Sequence, residues 1–136
     1  MEVATIITSS KDTISLFDRF IYSYPRLNLY AKDYDTALFR NVLNDRDKIW
    51  YHYVLNDVED EFSYNYPEEE IEIIKKHFGQ RDILMFDLSY TTENLLLHVL
   101  NAFRTYISER NEDLLPDILI SHPFDGIKKL WVAHSL

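Results

Sequence analysis

Cysteine is absent from this chain of 136 residues. Its absence excludes disulfide bonds, thiol nucleophiles and thiolate metal sites, and it fits a reducing compartment, so we expect a cytoplasmic protein. The sequence also has no apolar run that approaches the ~18 residues of a membrane span, so we expect no membrane segment. Because the N-terminus lacks a basic region followed by an apolar core, we expect no secretory signal.

Glycine is almost absent, with only two residues in the chain. Gly79 follows a basic stretch and is predicted to end a helix, and Gly126 follows Asp125 in a predicted turn. No glycine remains for a phosphate-binding loop, a dinucleotide-binding fingerprint or the sharp turn that presents a serine nucleophile. Three large classes of enzyme are therefore excluded in their usual forms.

Cationic residues are few, since 14 lysines and arginines oppose 23 acidic residues and the formal net charge is −9. Nucleic-acid binding depends on neutralising phosphates with Lys and Arg, so we expect no nucleic-acid partner. The acidity either keeps a cytosolic protein soluble or attracts a basic partner. The ten tyrosines suit half-buried strands and recognition surfaces alike.

A strong strand–helix unit lies in the second half of the chain. Ile83–Leu88 is a nearly continuous apolar run, which is typical of a central strand covered on both faces. Thr91 or Thr92 is predicted to cap the helix that follows, with Glu93 in its first turn. The apolar residues of this helix recur at helical spacing and should cover the sheet: Leu96, Val99, Leu100, Phe103 and Ile107.

The first half of the chain predicts one helix and four strands. Val3–Thr8 is interpreted as a buried strand, and Ser9 or Ser10 begins a helix that ends before Pro25. The alternation in Leu27–Lys32 predicts a half-buried strand. The other two strands form a hairpin of Ala37–Leu43 and Lys48–Leu55, closed by Asn44–Asp47.

The remaining segments complete the predicted fold. Asp57–Tyr66 is interpreted as a loop, with a short strand at Phe62–Tyr66 as an option, and Pro67 begins the helix that Gly79 ends. Asn111–Pro116 is predicted to be a loop. Two strands follow it, Ile118–Ile120 and Ile127–Val132.

These elements predict one α/β domain over residues 1–136, with an α+β fold as the alternative. We expect one mixed sheet of about six or seven strands and three helices, in the order βαβββαβαββ. Val3–Leu43 and Asp82–Val132 both follow the order strand, helix, strand, strand. If this repeat is real, the two apolar strands near Val3 and Ile83 lie centrally, with antiparallel hairpins at the sides.

An acidic segment stands out, because no Lys or Arg occurs between Asp57 and Lys75. One interpretation is a solvated loop followed by a well-charged helix start. The other is a docking face whose clustered carboxylates and tyrosines steer and anchor a basic partner. The residues predicted for such a face are Asp57, Glu59, Asp60, Glu61, Tyr64, Tyr66, Glu68 and Glu69.

The sequence predicts no cofactor and no metal site. Asp57–Glu61 lacks the glycine and the spacing of a calcium loop, and no two histidines have the i, i+4 spacing of a zinc helix. His122 and Asp125 suggest an acid–base pair, although Asp125 is also an ordinary turn residue before Gly126. An enzyme that uses Asp87, His122 and Asp125 therefore ranks last among the functions considered.

The closing pattern of the chain resembles that of bacterial immunity proteins, including those of contact-dependent growth inhibition systems. It runs from the strand Asp82–Leu88 through a helix to Ile118–Ile120, the turn Asp125-Gly126 and a last strand. The resemblance, which also extends to size and charge, implies a non-enzymatic inhibitor that forms a heterodimer with a cognate toxin domain, often a basic nuclease. The alternative is a small regulatory or ligand-binding domain that acts as a homodimer.

Overall fold

The computed structural model describes residues 1–130. The strands are β1 (Glu2–Thr8), β2 (Leu27–Lys32), β3 (Thr36–Asn41), β4 (Asn44–His52), β5 (Leu84–Tyr90), β6 (Leu119–His122) and β7 (Gly126–Lys129). The helices are α1 (Lys11–Ser23), α2 (Val58–Tyr64), α3 (Glu68–Phe78) and α4 (Glu93–Asn111), followed by a 3-10 helix (Glu112–Asp117). Within residues 1–130, no helix combines the length and apolarity that crossing a membrane requires.

The strands form one sheet in the order β2-β3-β4-β5-β1-β6-β7. The fold is α/β, as the sequence predicts, but every strand pairing within residues 1–130 is antiparallel, so the expected mixed sheet is wrong. The reason is that α1 connects β1 to β2 and α4 connects β5 to β6, and neither pair of strands is adjacent. Parallel strands are therefore present but always separated by another strand.

The two apolar strands β1 and β5 lie side by side at the centre, with hairpins at the sides, as the repeat predicts. Each hairpin, however, pairs with the central strand that comes from the other half of the chain. The β3–β4 hairpin joins β5, and the β6–β7 hairpin joins β1. This exchange ties the two halves into one sheet, and it is set by long-range pairing that the sequence pattern does not encode.

Helices α1 and α4 cover one face of the sheet and form the larger core. Both begin where the sequence predicts, with the side chains of Ser10 and Thr92 accepting a hydrogen bond from a backbone N–H of the first turn. Phe17 lies at the centre of this core. Its ring contacts the rings of Phe20, Tyr51, Phe86 and Phe103 at centroid distances between 4.8 and 5.8 Å.

Helices α2 and α3 cover part of the opposite face, where Ile74 and Phe78 pack against Ile7, Met85 and Leu119. Within residues 1–130, α2 makes four α-helices instead of the expected three, and the predicted loop with an optional strand over Asp57–Tyr66 is wrong. Asp57 caps this helix, because its side chain accepts hydrogen bonds from the backbone N–H groups of the next turn.

The β3–β4 hairpin is present, but its turn is Val42–Leu43 and not Asn44–Asp47. Asp47 lies in β4 and is buried. Its carboxylate is satisfied there, because it accepts hydrogen bonds from the hydroxyls of Thr91 and Thr92 at 2.7 and 2.8 Å. These partners are distant in sequence. The turn-like composition therefore reflects a tertiary contact with the start of α4 and not a turn.

Three smaller expectations also change. In β2 only Leu27 is buried, because this strand forms the edge of the sheet and is not half-covered as predicted. The predicted loop Asn111–Pro116 is largely a 3-10 helix. The last strand ends at Lys129, and Trp131 and Val132 of its predicted extension lie outside the described residues.

Candidate functional site

A cavity of about 390 Å³ opens on the sheet face that α2 and α3 cover. It lies between α2 and the three adjacent strands β5, β1 and β6, and its size falls in the lower part of the range of about 300–1,000 Å³ that is usual for ligand pockets. We call it the polar cleft, and its polar residues are Thr5, Glu61, Asn65, Tyr66, Asp87 and Ser121.

The floor of the polar cleft is set by strand register. Thr5 of β1 pairs directly with Asp87 of β5 on one side and with Ser121 of β6 on the other. Because neighbouring residues of a strand point to opposite faces, the flanking Phe86 and Leu88 enter the larger core while Asp87 faces the cleft. A row of three polar side chains thus crosses the centre of this face of the sheet.

Asp87 is held in place by two neutral donors. Its Oδ1 atom accepts hydrogen bonds from Thr5 Oγ1 at 2.6 Å and from Asn56 Nδ2 at 3.1 Å. The backbone N–H of Asn56 in turn donates to the carbonyl of Met85 at 2.9 Å, which fixes the loop before α2 against β5. These contacts orient the Asp87 side chain toward the cleft. None of them is with a positively charged group, so they leave its negative charge unneutralised.

Glu61 and Tyr66 form the opposite wall. Burial raises the pKa of Glu61, a hydrogen bond from Asn65 lowers it, and the charges of Asp87 and Asp60 raise it further. Burial also raises the pKa of Tyr66, and its interactions with the hydroxyls of Ser121 and Thr5 partly offset this. None of the described residues that line the cleft is lysine or arginine. The cleft is therefore suited to receive a cationic group.

Removal of the Glu61 charge should stabilise the folded protein at neutral pH. The raised pKa means that the folded state binds this proton more tightly than the unfolded state, so stability is lost as pH rises through the folded-state pKa. We expect Glu61→Gln to raise the urea midpoint at pH 7 and to leave it unchanged at a pH below the ordinary range of glutamate. Glu59→Gln removes the same charge from an exposed neighbour and is the control. Equal shifts of the urea midpoint in the two variants would contradict the interpretation that the charge of Glu61 in particular destabilises the folded state.

Most of the predicted docking residues lie on the surface beside the cleft. Those exposed on α2, on its cap and on the first turn of α3 are Asp57, Glu59, Asp60, Tyr64, Glu68 and Glu69. Tyr64 is 82% exposed. Glu61 and Tyr66 instead turn inward and line the cleft. We call the eight residues together the acidic face, and its role in binding stays a prediction.

The three residues considered for an enzyme do not converge. Asp87 faces the polar cleft, whereas His122 shares a strand face with Ile120 of the larger core and lies on the α4 side. His122 does lie next to Asp125, with Nδ1 at 3.2 Å from Oδ2. Asp87 is therefore separated from His122 and Asp125 by the thickness of the sheet. An enzyme that uses these three residues in one site is not supported by this arrangement.

A serine–histidine contact that the sequence did not suggest lies on the cleft side of the sheet. Nε2 of His52 is 2.7 Å from Oγ of Ser89, and Nδ1 is 3.3 Å from Oγ1 of Thr36. Ser89 is only 5% exposed, which leaves little room for a substrate at its hydroxyl. The contact joins β3, β4 and β5, and we assign it a structural role.

Comparison of the chain with protein-family models, with curated protein sequences and with solved structures finds no match.

Proposed function

We propose that this protein binds and neutralises a basic bacterial toxin domain in the cytoplasm, as an immunity protein does. The observation that carries the proposal is that the helix bearing half of the acidic face is also a wall of the polar cleft. Exposed carboxylates and a concave negative site therefore lie together. Long-range attraction and a specific anchoring point are the two elements that a docking surface for a basic partner needs.

The clustering of acidic residues around the polar cleft lowers the stability of the fold, and this favours a role in binding. Like charges held close together oppose folding, and Glu61 is held partly away from water beside Asp60 and Asp87. The acidic residues near the cleft raise the local negative potential, which steers a positively charged partner and speeds association. A toxin that cleaves nucleic acid must itself be basic to bind phosphates, so an acidic surface covering its active site would inhibit it.

Charge reversal on α2 tests the proposal. The triple variant Glu59→Lys, Asp60→Lys and Glu61→Lys should reduce the association rate with a candidate basic toxin domain by about tenfold or more, because rim charges act mainly on association. Surface plasmon resonance at low and high salt measures this effect. The wild-type rate should fall with salt, and the variant should show a weaker dependence.

A matched triple reversal controls for net charge. Glu109→Lys, Glu112→Lys and Asp113→Lys introduce the same charge at exposed positions near the end of α4. We expect this control to retain most of the wild-type rate. Equal losses in the two triple variants, or no loss in the α2 variant, would contradict docking through the acidic face, and absence of binding by the wild-type protein would contradict the choice of partner.

A homodimer is the second candidate. It is favoured by the apolar side chains on the edge strand β2 and at the neighbouring hairpin turn, where Leu29 is 48% and Leu43 is 75% exposed. An uncovered sheet edge with apolar side chains is a common site of strand pairing between chains. A mass that doubles with concentration in the absence of any partner would support this alternative over the first.

A further inference from the structure

A second polar cluster lies on the other side of the sheet from the polar cleft. It joins Glu93, the first residue of α4, to His122 at the end of β6 and Asp125 in the turn before β7. One potential ligand atom from each of the three side chains lies within 4.8 Å of the other two. The imidazole of His122 is completely buried, whereas the side chains of Glu93 and Asp125 are 46% and 38% exposed.

The Nε2 atom of His122 has no hydrogen-bond partner in this cluster. The nearest carboxylate oxygen, Oε1 of Glu93, is only 2.9 Å away, but it lies off the direction in which a ring N–H would donate. A buried polar atom without a directed partner is uncommon and costly. The proximity of a carboxylate without a hydrogen bond therefore needs an explanation.

The contacts of the other ring nitrogen do not remove the problem. Nδ1 is 3.2 Å from Oδ2 of Asp125 and also 3.2 Å from the backbone nitrogens of Phe124 and Asp125. If Nδ1 accepts from those N–H groups, Nε2 carries a buried proton without an acceptor. If Nδ1 instead donates to Asp125, the lone pair of Nε2 faces the Glu93 carboxylate, and the two repel unless a cation lies between them.

We propose that Glu93, His122 and Asp125 form a binding site for a divalent transition-metal ion, with zinc as the best match. Zinc binds imidazole nitrogen and carboxylate oxygen at about 2.0–2.2 Å, so two ligand atoms of a tetrahedral site lie about 3.3–3.6 Å apart, with the metal off the line that joins them. Nε2 of His122 and Oε1 of Glu93 are 2.9 Å apart, so they would have to separate by about 0.5 Å to share a zinc ion. The off-axis direction of the carboxylate, and not its distance, favours a shared metal over a shared proton.

Asp125 completes the site from the other side of the ring. A metal on Nε2 requires the proton on Nδ1, and Oδ2 of Asp125 lies 3.2 Å away to accept it. Metal binding would then break the hydrogen bonds that the backbone N–H groups of Phe124 and Asp125 donate to Nδ1. A carboxylate that accepts from the distal nitrogen of a metal-bound histidine fixes the ring orientation and strengthens the ligand. Glu93 and Asp125 reach solvent and provide a path of entry, and water completes the coordination. The ion then links the start of α4 to the β6–β7 hairpin, independently of the acidic face.

Zinc titration of the purified, chelator-treated full chain tests the site. Isothermal titration calorimetry should show one saturable zinc ion per chain. Zinc should also shift the ¹⁵N resonance of His122 Nε2, which a purely structural histidine would not show. Glu93→Gln keeps the size of an exposed side chain and should weaken zinc binding at least tenfold, and Asp125→Asn should weaken it about 10- to 100-fold, the usual effect of removing such a partner.

Two matched variants serve as controls. His98→Gln removes a partly exposed histidine from the middle of α4, and Glu59→Gln removes a carboxylate from the acidic face. Both should bind zinc as the wild-type chain does. The proposal is overturned if zinc does not saturate at one ion per chain, if Glu93→Gln binds as tightly as wild type, or if the His122 resonance does not respond. The last two outcomes would identify the cluster as an ion pair only.

Discussion

Truncation of Phe17 to alanine is expected to destabilise the fold by about 3–5 kcal/mol. Phe17 is completely buried, and its ring touches four other aromatic rings contributed by α1, β4, β5 and α4. Removal of the ring loses its transfer free energy and leaves a cavity that rigid aromatic neighbours cannot close. Because a domain of this size is usually stable by only about 5–15 kcal/mol, the variant should be close to unfolding at 37 °C.

Urea unfolding followed by circular dichroism measures this effect at low temperature, where the variant remains folded. Phe124→Ala is the control, because Phe124 is 68% exposed in the β6–β7 turn. We expect the control to change stability by no more than about 0.5 kcal/mol. A loss below about 1.5 kcal/mol for Phe17→Ala would mean that the layer of α1 and α4 on the sheet is not packed as described.

Replacement of Asp117 by alanine should cost about 2–4 kcal/mol, because it leaves neutral donors without an acceptor in a largely buried place, each at a cost of about 1–3 kcal/mol. Oδ2 of Asp117 accepts hydrogen bonds from Thr8 Oγ1 and from the backbone N–H of Ser9 at 2.7 and 2.9 Å. Oδ1 accepts from Ser9 Oγ at 2.5 Å and from the Arg81 guanidinium at 2.8 Å. One carboxylate therefore joins the end of β1, the segment after α3 and the start of β6.

Asp113→Ala is the control, because Asp113 is exposed on the same 3-10 helix. The difference between the two variants measures the contribution of the Asp117 hydrogen bonds. We expect a change within about 0.5 kcal/mol for this control. Arg81→Ala should cost less than Asp117→Ala, because the Arg81 side chain is 53% exposed and that of Asp117 only 10%. The interpretation is wrong if Asp113→Ala and Asp117→Ala lower the urea midpoint equally.

Helix boundaries were largely predictable, because their signals are local. Ser10 and Thr92 cap helices through N–H groups two or three residues away, and Gly79 adopts a positive φ of 61° at the end of α3. The apolar spacing of α4 likewise identified the residues that are buried. In each case the residues that determine the structure lie within one or two helical turns of each other.

The failed predictions have two different causes. The acidic density of Asp57–Tyr66 suggests a loop, yet Val58 and Phe62 are spaced by four residues and pack as one side of a helix. That spacing was a usable signal. Asp47 gave no such signal, because its partners Thr91 and Thr92 are more than 40 residues away. A polar residue buried by a distant partner looks like a surface residue in the sequence.

The sequence by itself determined most of the local elements of this protein, its α/β class and the concentration of acid after β4. Only the tertiary structure decided that the β3–β4 and β6–β7 hairpins pair with the central strand of the other half, and that Thr5, Asp87 and Ser121 lie side by side. The physical reason is register. A shift of one residue sends every side chain of a strand to the opposite face, and the pairing that prevents it joins segments that are distant in the chain.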